Sequence, residues 1–502
     1  MAGPIGVLER IDPPAHIDEM YWTADDPNLL FTLSAVVLAL AALGHVLLKK
    51  RDSRGAVAWV GFILFVPVAG GLIYYLFGIN RVARRAAKLK GLRVRDDPAL
   101  AGTGVGPKAA RAALSPRLHH LAGIARRVDY LSSNAPVGGN KVEPFDGGDR
   151  AYAEMLTAID GATRSVALSS YIFRNDAIGG RFADALERAH DRGVTVRVLV
   201  DGVGAYDSWQ PVLYHLRRAG VPVQRFLFSL VPWRMPYLNM RNHAKLLIAD
   251  GRLAFTGGLN IKEECLLETV GPAEGVDDVH FRLEGPIVTQ VMERFAADWC
   301  FTTGETLMGE EWYPDLAPAG DLLGRGIASG PDYEENPLRW TLLAAILSAR
   351  RSIRIVTPYF LPDETVLSAL KLAAAGGVGI EIVLPETSDH RILQWAGRVE
   401  QETALAAGAK IWLRPAPFDH TKLMTVDGAW SLIGSGNWDM RSLRLNFEYV
   451  AEWYDTNFAA RIDALIDRRV AVARPLSLGE LRTRPILTKL RDGAAHLVQP
   501  YM

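Results

Sequence analysis

Hydrophobic positions follow three regimes along the chain. From Pro27 to Leu48 no residue is charged, and Leu29–Leu48 reads LLFTLSAVVLALAALGHVLL. At ~1.5 Å of rise per residue, such a run matches the ~30 Å hydrocarbon core of a bilayer as one helix. A second uncharged stretch, Gly55–Asn80, carries Trp59, Tyr74 and Tyr75 near its ends as interfacial anchors. Pro67 and the Gly70–Gly71 pair permit a kinked or re-entrant second segment. Two membrane-spanning helices over 29–80 are predicted. Past a loose Gly/Ala/Pro region near 98–115, the pattern changes to short apolar runs alternating with amphipathic helical stretches.

That alternation occurs twice. Ser165–Phe173 (SVALSSYIF) aligns without gaps on Ser352–Phe360 (SIRIVTPYF), and each reads as a buried strand. Helical patterns precede them, YAEMLTAIDGATR and WTLLAAILSARR. A helix closing at Gly follows each, then a strand, GVTVRVLVD from Gly193 or GVGIEIVLP from Gly377. Strand–helix alternation predicts parallel-rich sheets covered by helices, and its repetition predicts an α/β chain with two pseudo-symmetric α/β/α domains. The divisions expected are an acidic tail (1–28), two spans (29–80), a basic juxtamembrane linker (81–125), a first domain (126–325), a second (326–475) and a C-terminal tail (476–502). A site belongs in the cleft between the two domains.

Composition adds limits. At 49% hydrophobic and 22% charged residues, the 502-residue chain is not disordered. Two cysteines, Cys265 and Cys300, cannot build a disulfide framework or a four-cysteine metal site. The 56 basic and 56 acidic side chains cancel, but unevenly. Residues 1–28 hold six acidic side chains and one basic, while Arg81–Arg95 holds seven basic and none acidic. The acidic start argues against a cleaved signal peptide. Residues 49–54 between the spans hold four basic side chains, so the two basic clusters compete for the cytoplasmic side. The larger favours a cytoplasm-facing body. The Arg81–Arg95 cluster also suits anionic lipid head groups.

The repeat carries the chemistry. NHAKLLIADGRLAFTGGLN supplies His243, Lys245, Asp250, Gly258 and Asn260; DHTKLMTVDGAWSLIGSGN supplies His420, Lys422, Asp427, Ser435 and Asn437 at identical spacing. His and Lys two apart on a strand share a face. Asp-Gly then makes a tight turn, and the return strand ends in small residues that let amides approach a ligand. Asp250 and Asp427 fit a turn-fixing role as well as a catalytic one. Two imidazoles, two ammoniums and amide donors suit a phosphodiester: cations and amides neutralise its oxygens, one His attacks phosphorus and the other protonates the leaving oxygen. No metal and no cofactor is called for, and the chain lacks HExxH or a Cys/His ligand set.

The doubled motif resembles the HKD signature of the phospholipase D superfamily. With the two apolar segments it resembles the two-span bacterial cardiolipin synthases. Matching pieces include Ala58–Trp59, Pro67, Gly70, Tyr75 and Phe77–Gly78 in the second span, YIFRND (Tyr171–Asp176), HFRLEGP (His280–Pro286), TPYFLPD (Thr357–Asp363) and RSLRLNFE (Arg441–Glu448). Cys265 and Val276 depart from the aromatic residues usual at those positions. The resemblance implies a phosphatidyltransferase of the bacterial inner membrane. One phosphatidylglycerol gives its phosphatidyl group to a histidine and releases glycerol; a second captures it as cardiolipin. Lys245, Lys422, Asn260 and Asn437, with Gly258 and Ser435, are then expected to hold phosphate. Asp278 and Glu448 are expected to orient the histidines, helped by Arg441, Ser442 and Asn446. The pseudo-symmetry does not reveal which histidine attacks; the resemblance leans to His243. Expected partners are phosphatidylglycerol, other anionic phospholipids and the membrane, with no nucleic acid; a homo-oligomer is compatible. Phe226–Met240 is a candidate lipid-facing wall. Two other functions fit the residues: a phospholipase D-type hydrolase, and a non-catalytic scaffold for anionic lipid. His45, His119–His120, His190, His215, His390 and His496 receive no chemical role.

Overall fold

The computed structural model describes residues 27–50, 53–78, 107–132, 134–204, 212–227, 240–331 and 336–498. The acidic tail up to residue 26, the basic stretch Arg81–Arg95 and residues 228–239 of the candidate wall lie outside the described residues. The chain forms two units, Met1–Asn80 and Arg81–Met502.

In the first unit the uncharged run forms one helix, α1 (Pro27–Lys49). Among the described residues it alone is long and apolar enough to cross a membrane. The second apolar stretch is not one span-length helix. It breaks into α2 (Ser53–Phe65), α3 (Pro67–Ile73) and a π-helical turn, Tyr74–Gly78. Pro67 has no N–H to continue α2 and disfavours helix at the preceding Val66. Small residues then let the pieces close on each other. A Cβ on Gly70 would meet Phe62 O at 2.8 Å, and one on Gly71 would meet Leu38 Cγ at 3.0 Å. Ala42, Val46, Ile63 and Tyr74 form the buried seam, where Tyr74 Oη lies 2.8 Å from His45 Nδ1. Phe31, Val37, Leu40, Leu47, Val57 and Phe65 stay exposed, as lipid-facing side chains do.

The second unit is built on one fifteen-stranded sheet and a separate two-stranded one. Its first-half strands are β1 (Val137–Asp146), β2 (Ser165–Ser170), β3 (Thr195–Asp201), β4 (Val223–Phe226), β5 (Leu246–Ala249), β6 (Leu253–Gly257), β7 (Val276–Asp277) and β8 (Val279–Glu284). Its second-half strands are β9 (Leu322–Ser329), β10 (Ser352–Val356), β11 (Gly379–Pro385), β12 (Lys410–Arg414), β13 (Phe418–Asp419), β14 (Leu423–Val426), β15 (Trp430–Gly434), β16 (Glu448–Tyr454) and β17 (Arg474–Leu476). Among the described residues, fifteen strands run in the order β17-β12-β11-β10-β14-β15-β16-β9-β1-β8-β6-β5-β2-β3-β4. From the β9–β1 junction outward each half repeats the same sequence of strands, and β17 adds an edge. The parallel-rich expectation is corrected. Within this sheet, among the described residues, only β2–β3–β4 and β10–β11–β12 pair in parallel, while the hairpins β5–β6 and β14–β15 and the central strands pair antiparallel. The helical crossovers therefore confine parallel pairing to the outer strands.

Helices cover both faces. Ile287–Thr303 and Thr456–Val472, which follow β8 and β16, pack Phe295, Trp299, Phe458 and Ile466 into one core shared by both halves. The opposite face is covered separately in each half, by Gly148–Gly161 and Ala177–Asp191 or by Pro337–Ser348 and Glu364–Ala375. Residues 107–129, expected to belong mostly to a linker, are folded onto the second half. Ala110, Leu118, Leu121, Ile124 and Val128 are buried with Leu342 and Ile346. Each large apolar side chain so buried contributes about 1.5–3 kcal/mol.

Candidate active site

The two hairpins place the motif side chains. At each turn Asp and Gly both take positive φ: 54° and 62° at Asp250–Gly251, 52° and 62° at Asp427–Gly428. Each is a tight turn closed by Arg252 N–H on Ala249 O or Ala429 N–H on Val426 O, with positive φ at both central residues, which Asp and Gly tolerate best. The aspartates are also occupied. Asp250 accepts the N–H groups of Thr163, Arg164 and Ser165 at 2.7–3.0 Å. Asp427 accepts those of Arg350, Arg351 and Ser352 at 2.8–3.0 Å, and His120 Nε2 at 2.7 Å. Each carboxylate pins its hairpin to the start of β2 or β10, at the strand end away from the histidine. The catalytic assignment of Asp250 and Asp427 is thus replaced by a structural one, and His120 gains a partner that spacing did not reveal.

Before β5 and β14 the chain enters the cleft, and here the halves exchange partners. His243 N donates to Phe447 O at 2.8 Å, and Phe447 N donates to Arg241 O at 2.8 Å. In the same register β13 pairs in parallel with β7, and His420 N donates to Asp277 O at 2.7 Å. Each histidine therefore stands beside the carboxylate of the other half. His243 Nδ1 is 3.0 Å from both oxygens of Glu448. His420 Nδ1 is 2.8 Å from Asp278 Oδ2. A ring that gives its Nδ1–H to the carboxylate keeps its Nε2 lone pair for chemistry; at His420 the same Nδ1 also lies 2.8 Å from Lys422 Nζ.

The lysines complete the site. Lys245 Nζ donates to His243 O at 2.7 Å and lies 5.5 Å from the centre of the Tyr171 ring. Lys422 Nζ donates to His420 O and sits 3.5 Å from Asp278 Oδ2. Both ammoniums are buried, which disfavours their charge: Lys245 is pushed down to about 7, and Lys422 is also lowered. Burial also lowers both histidines, helped by the two lysines, and His420 senses the charge of His243. The four groups thus face one electrostatic centre. Tyr171 and Tyr359 turn ring edges to His243 and His420 at 5.2 and 6.5 Å between ring centres.

The carboxylates differ. Burial would raise Glu448, but the His243 imidazole and its hydrogen bond, then Lys245 and Ser435, outweigh it and hold the carboxyl down to about 2. Ser435 Oγ donates at 2.5 Å, Ser442 Oγ at 2.7 Å and Asn446 Nδ2 at 3.3 Å. Burial prevails at Asp278, whose pKa is raised despite Lys422. Gly258 stands where Ser435 stands in the other half. A Cβ there would lie 2.1 Å from Asp278 Oδ2. Its N–H reaches Val279 O at 3.4 Å. Gly258 and Ser435, expected to bind phosphate, instead accommodate and anchor the carboxylates. Asn260 accepts Ile172 N–H through Oδ1 at 3.1 Å, leaving Nδ2 as a donor. Asn437 gives its Nδ2 to Asp439 Oδ2 at 3.1 Å. His280, two residues beyond Asp278 on β8, is buried and pushed down to about 4, so it stays neutral behind the site.

Fold and site define a doubled phospholipase D-like protein, two halves sharing one two-histidine centre. A family model described as cardiolipin synthase, PLD-like domain, matches residues 155–299 and 342–470. One described as phospholipase D-nuclease N-terminal matches residues 37–78. The chain is 30% identical over 496 residues to the major cardiolipin synthase ClsA of Bacillus subtilis, covering 95% of this chain and 99% of that protein. It is 31% identical over 486 residues to the cardiolipin synthase of Geobacillus thermodenitrificans, covering 95% and 93%. The solved phosphatidylserine synthase of Haemophilus influenzae shares the fold: TM-score 0.60 at 14% identity, over 76% of this chain and all of that one. The chain belongs to the cardiolipin synthase family of the phospholipase D superfamily, a family of phosphatidyltransferases.

Proposed function

We propose that the protein joins two phosphatidylglycerol molecules into cardiolipin and glycerol, using His243 as nucleophile and His420 as general acid and base. The observation that carries this reading is the crossed pairing of His243 with Glu448 and His420 with Asp278 around two buried lysines. His243 Nε2 attacks phosphorus, the bond to the glycerol oxygen breaks, and His420 protonates that oxygen. His420 then takes the proton of a second phosphatidylglycerol hydroxyl. That oxygen attacks phosphorus, the P–N bond breaks, and His243 is released. Lys245 and Lys422, with Asn260 and Asn437, neutralise the nonbridging oxygens as charge builds. The firm negative charge of Glu448 supports His243 as the attacking ring, since it offsets positive charge on the phosphorylated imidazole. The less firmly ionised Asp278 suits a ring that gains and loses a proton.

In this reading α1 crosses the bilayer, α2 and α3 enter it as a broken second segment, and the catalytic body faces the cytoplasm. Residues 126–325 and 326–475 act as two halves of one enzyme, with no metal or cofactor. The test is lipid product analysis of the purified chain in phosphatidylglycerol vesicles containing EDTA. Cardiolipin with an equal amount of glycerol is expected. Phosphatidic acid as the main product would make the chain a hydrolase, and no product would leave the scaffold reading.

A further inference from the structure

The end of the chain builds a surface with no part in the site above. Helix Ile486–Val498 carries Leu487, Leu490, Ala494 and Leu497 on one exposed stripe, with Ile486 beside it. Leu487 and Leu497 are 76% and 77% exposed. The opposite side of the helix is anchored: Ala495 is buried with Ala396, and the Arg491 guanidinium lies 4.4 Å from the centre of the Trp395 ring. Apolar residues at i, i+3, i+7 and i+10 form one row on a helix, and here that row faces outward.

Beside the helix runs a groove of about 450 Å³. It is lined by Lys371, Arg398, Arg482, Arg484 and Lys489 against only Glu402 and Asp492. Arg482 pairs with Glu402 at 3.1 Å, and Arg484 pairs with Asp492. Among the described residues no carboxylate makes an ion pair with Lys371 or Arg398. Arg398 Nη1 donates to Gln401 Oε1 at 2.9 Å, and burial with Arg484 disfavours its charge more than Asp492 and Glu480 favour it. The groove holds more positive charge than its carboxylates balance. Leu372, next to Lys371, is exposed as well.

We propose that this groove and helix form a docking site for an anionic phospholipid bilayer, Lys371 and Arg398 taking lipid phosphates while Leu487, Leu490 and Leu497 enter the acyl boundary. Charge complementarity selects the occupant: unbalanced basic side chains flanking an outward leucine row match anionic head groups over acyl chains. A nucleic acid or acidic peptide would satisfy the groove but leave the leucine row uncovered. The site stands apart from the reacting histidines and does not depend on which lipid is transferred.

The test uses the full chain in proteoliposomes, carrying Leu490→Cys with a polarity-sensitive fluorophore on a Cys300→Ser background. Vesicles are phosphatidylcholine with or without phosphatidylserine. With phosphatidylserine the probe is expected to shift to the blue and to be quenched by brominated acyl chains. Lys371→Glu with Arg398→Glu is expected to abolish both signals while turnover in detergent mixed micelles stays within about twofold. Turnover in micelles reads the transfer chemistry separately, so failure of one reading is distinguishable from failure of the other. A water-like probe in anionic vesicles overturns the proposal. So does an equal shift in pure phosphatidylcholine, which would mean apolar contact without a phosphate site. A shift that grows with protein density rather than anionic lipid also overturns it, since a second copy of the chain would then be the occupant.

Discussion

Glu448 lies 205 residues beyond His243, yet its carboxylate is 3.0 Å from the Nδ1 of that ring and carries three further hydrogen bonds from its own half. In the proposed mechanism its charge offsets that of the positive imidazole of the phosphohistidine. Glu448→Gln keeps the shape and removes the charge. We expect kcat to fall about 10³-fold with KM changed less than about threefold, read from steady-state cardiolipin formation. A kcat within about tenfold of the parent would remove Glu448 from the mechanism.

Gly258 is predicted to be irreplaceable for a steric reason. Its missing Cβ leaves the space that the Asp278 carboxylate fills, 2.1 Å from where a methyl would stand. Gly258→Ala should displace Asp278 from His420 and lower kcat about 100-fold or more. Ser435→Ala at the equivalent position deletes one hydrogen bond to Glu448 and should cost only about tenfold. Equal losses in the two variants would refute the packing argument.

Asp427→Ala should unfold more easily without losing chemistry. It removes an acceptor shared by three backbone N–H groups and His120. A loss of about 2–4 kcal/mol in denaturant unfolding is expected, with activity per folded molecule within about threefold. Burial would raise this carboxyl, but the N–H groups and His120 hold it below the usual range. Its stabilisation is therefore complete above the unfolded value near ~4 and is lost as pH falls through the lower folded value.

Lys245 sets an alkaline limit. Burial pushes its ammonium down to about 7, so the free protein loses this charge as pH rises through that value. The pH profile of kcat/KM should fall on the alkaline side near 7. The limb in kcat should lie higher, because bound phosphate favours the ammonium. Superimposable limbs in the two profiles would mean that Lys245 does not touch the phosphodiester.

Local information is the most legible in the sequence. The Asp-Gly turns and the repeated strand–helix order act over a few residues and occupy the elements expected of them, whereas each His-x-Lys, expected on a strand, lies in irregular chain just ahead of β5 or β14. Pairings across the chain lie beyond such local information. Nothing in NHAKLL or RLNFE says that Phe447 O receives the N–H of His243, so the exchange of carboxylates between halves was invisible. Small residues near a ligand usually expose amides, which suggests a phosphate ligand at Ser435; its hydroxyl is instead donated to Glu448. The break in the second apolar segment falls at Pro67, where the sequence permits a kink. In the helices of 107–129 the Gly- and Ala-rich sequence nearby masks a short apolar periodicity.

The crossing of the dyads has a consequence for ancestry and engineering. A half taken alone holds a histidine with no carboxylate behind it and a carboxylate with no histidine before it. A single-repeat ancestor of this architecture would have worked only as a pair of identical subunits, each lending its acid to its sister. Two copies joined in one chain need not stay identical, and here they differ: glycine stands against aspartate on one side and serine against glutamate on the other.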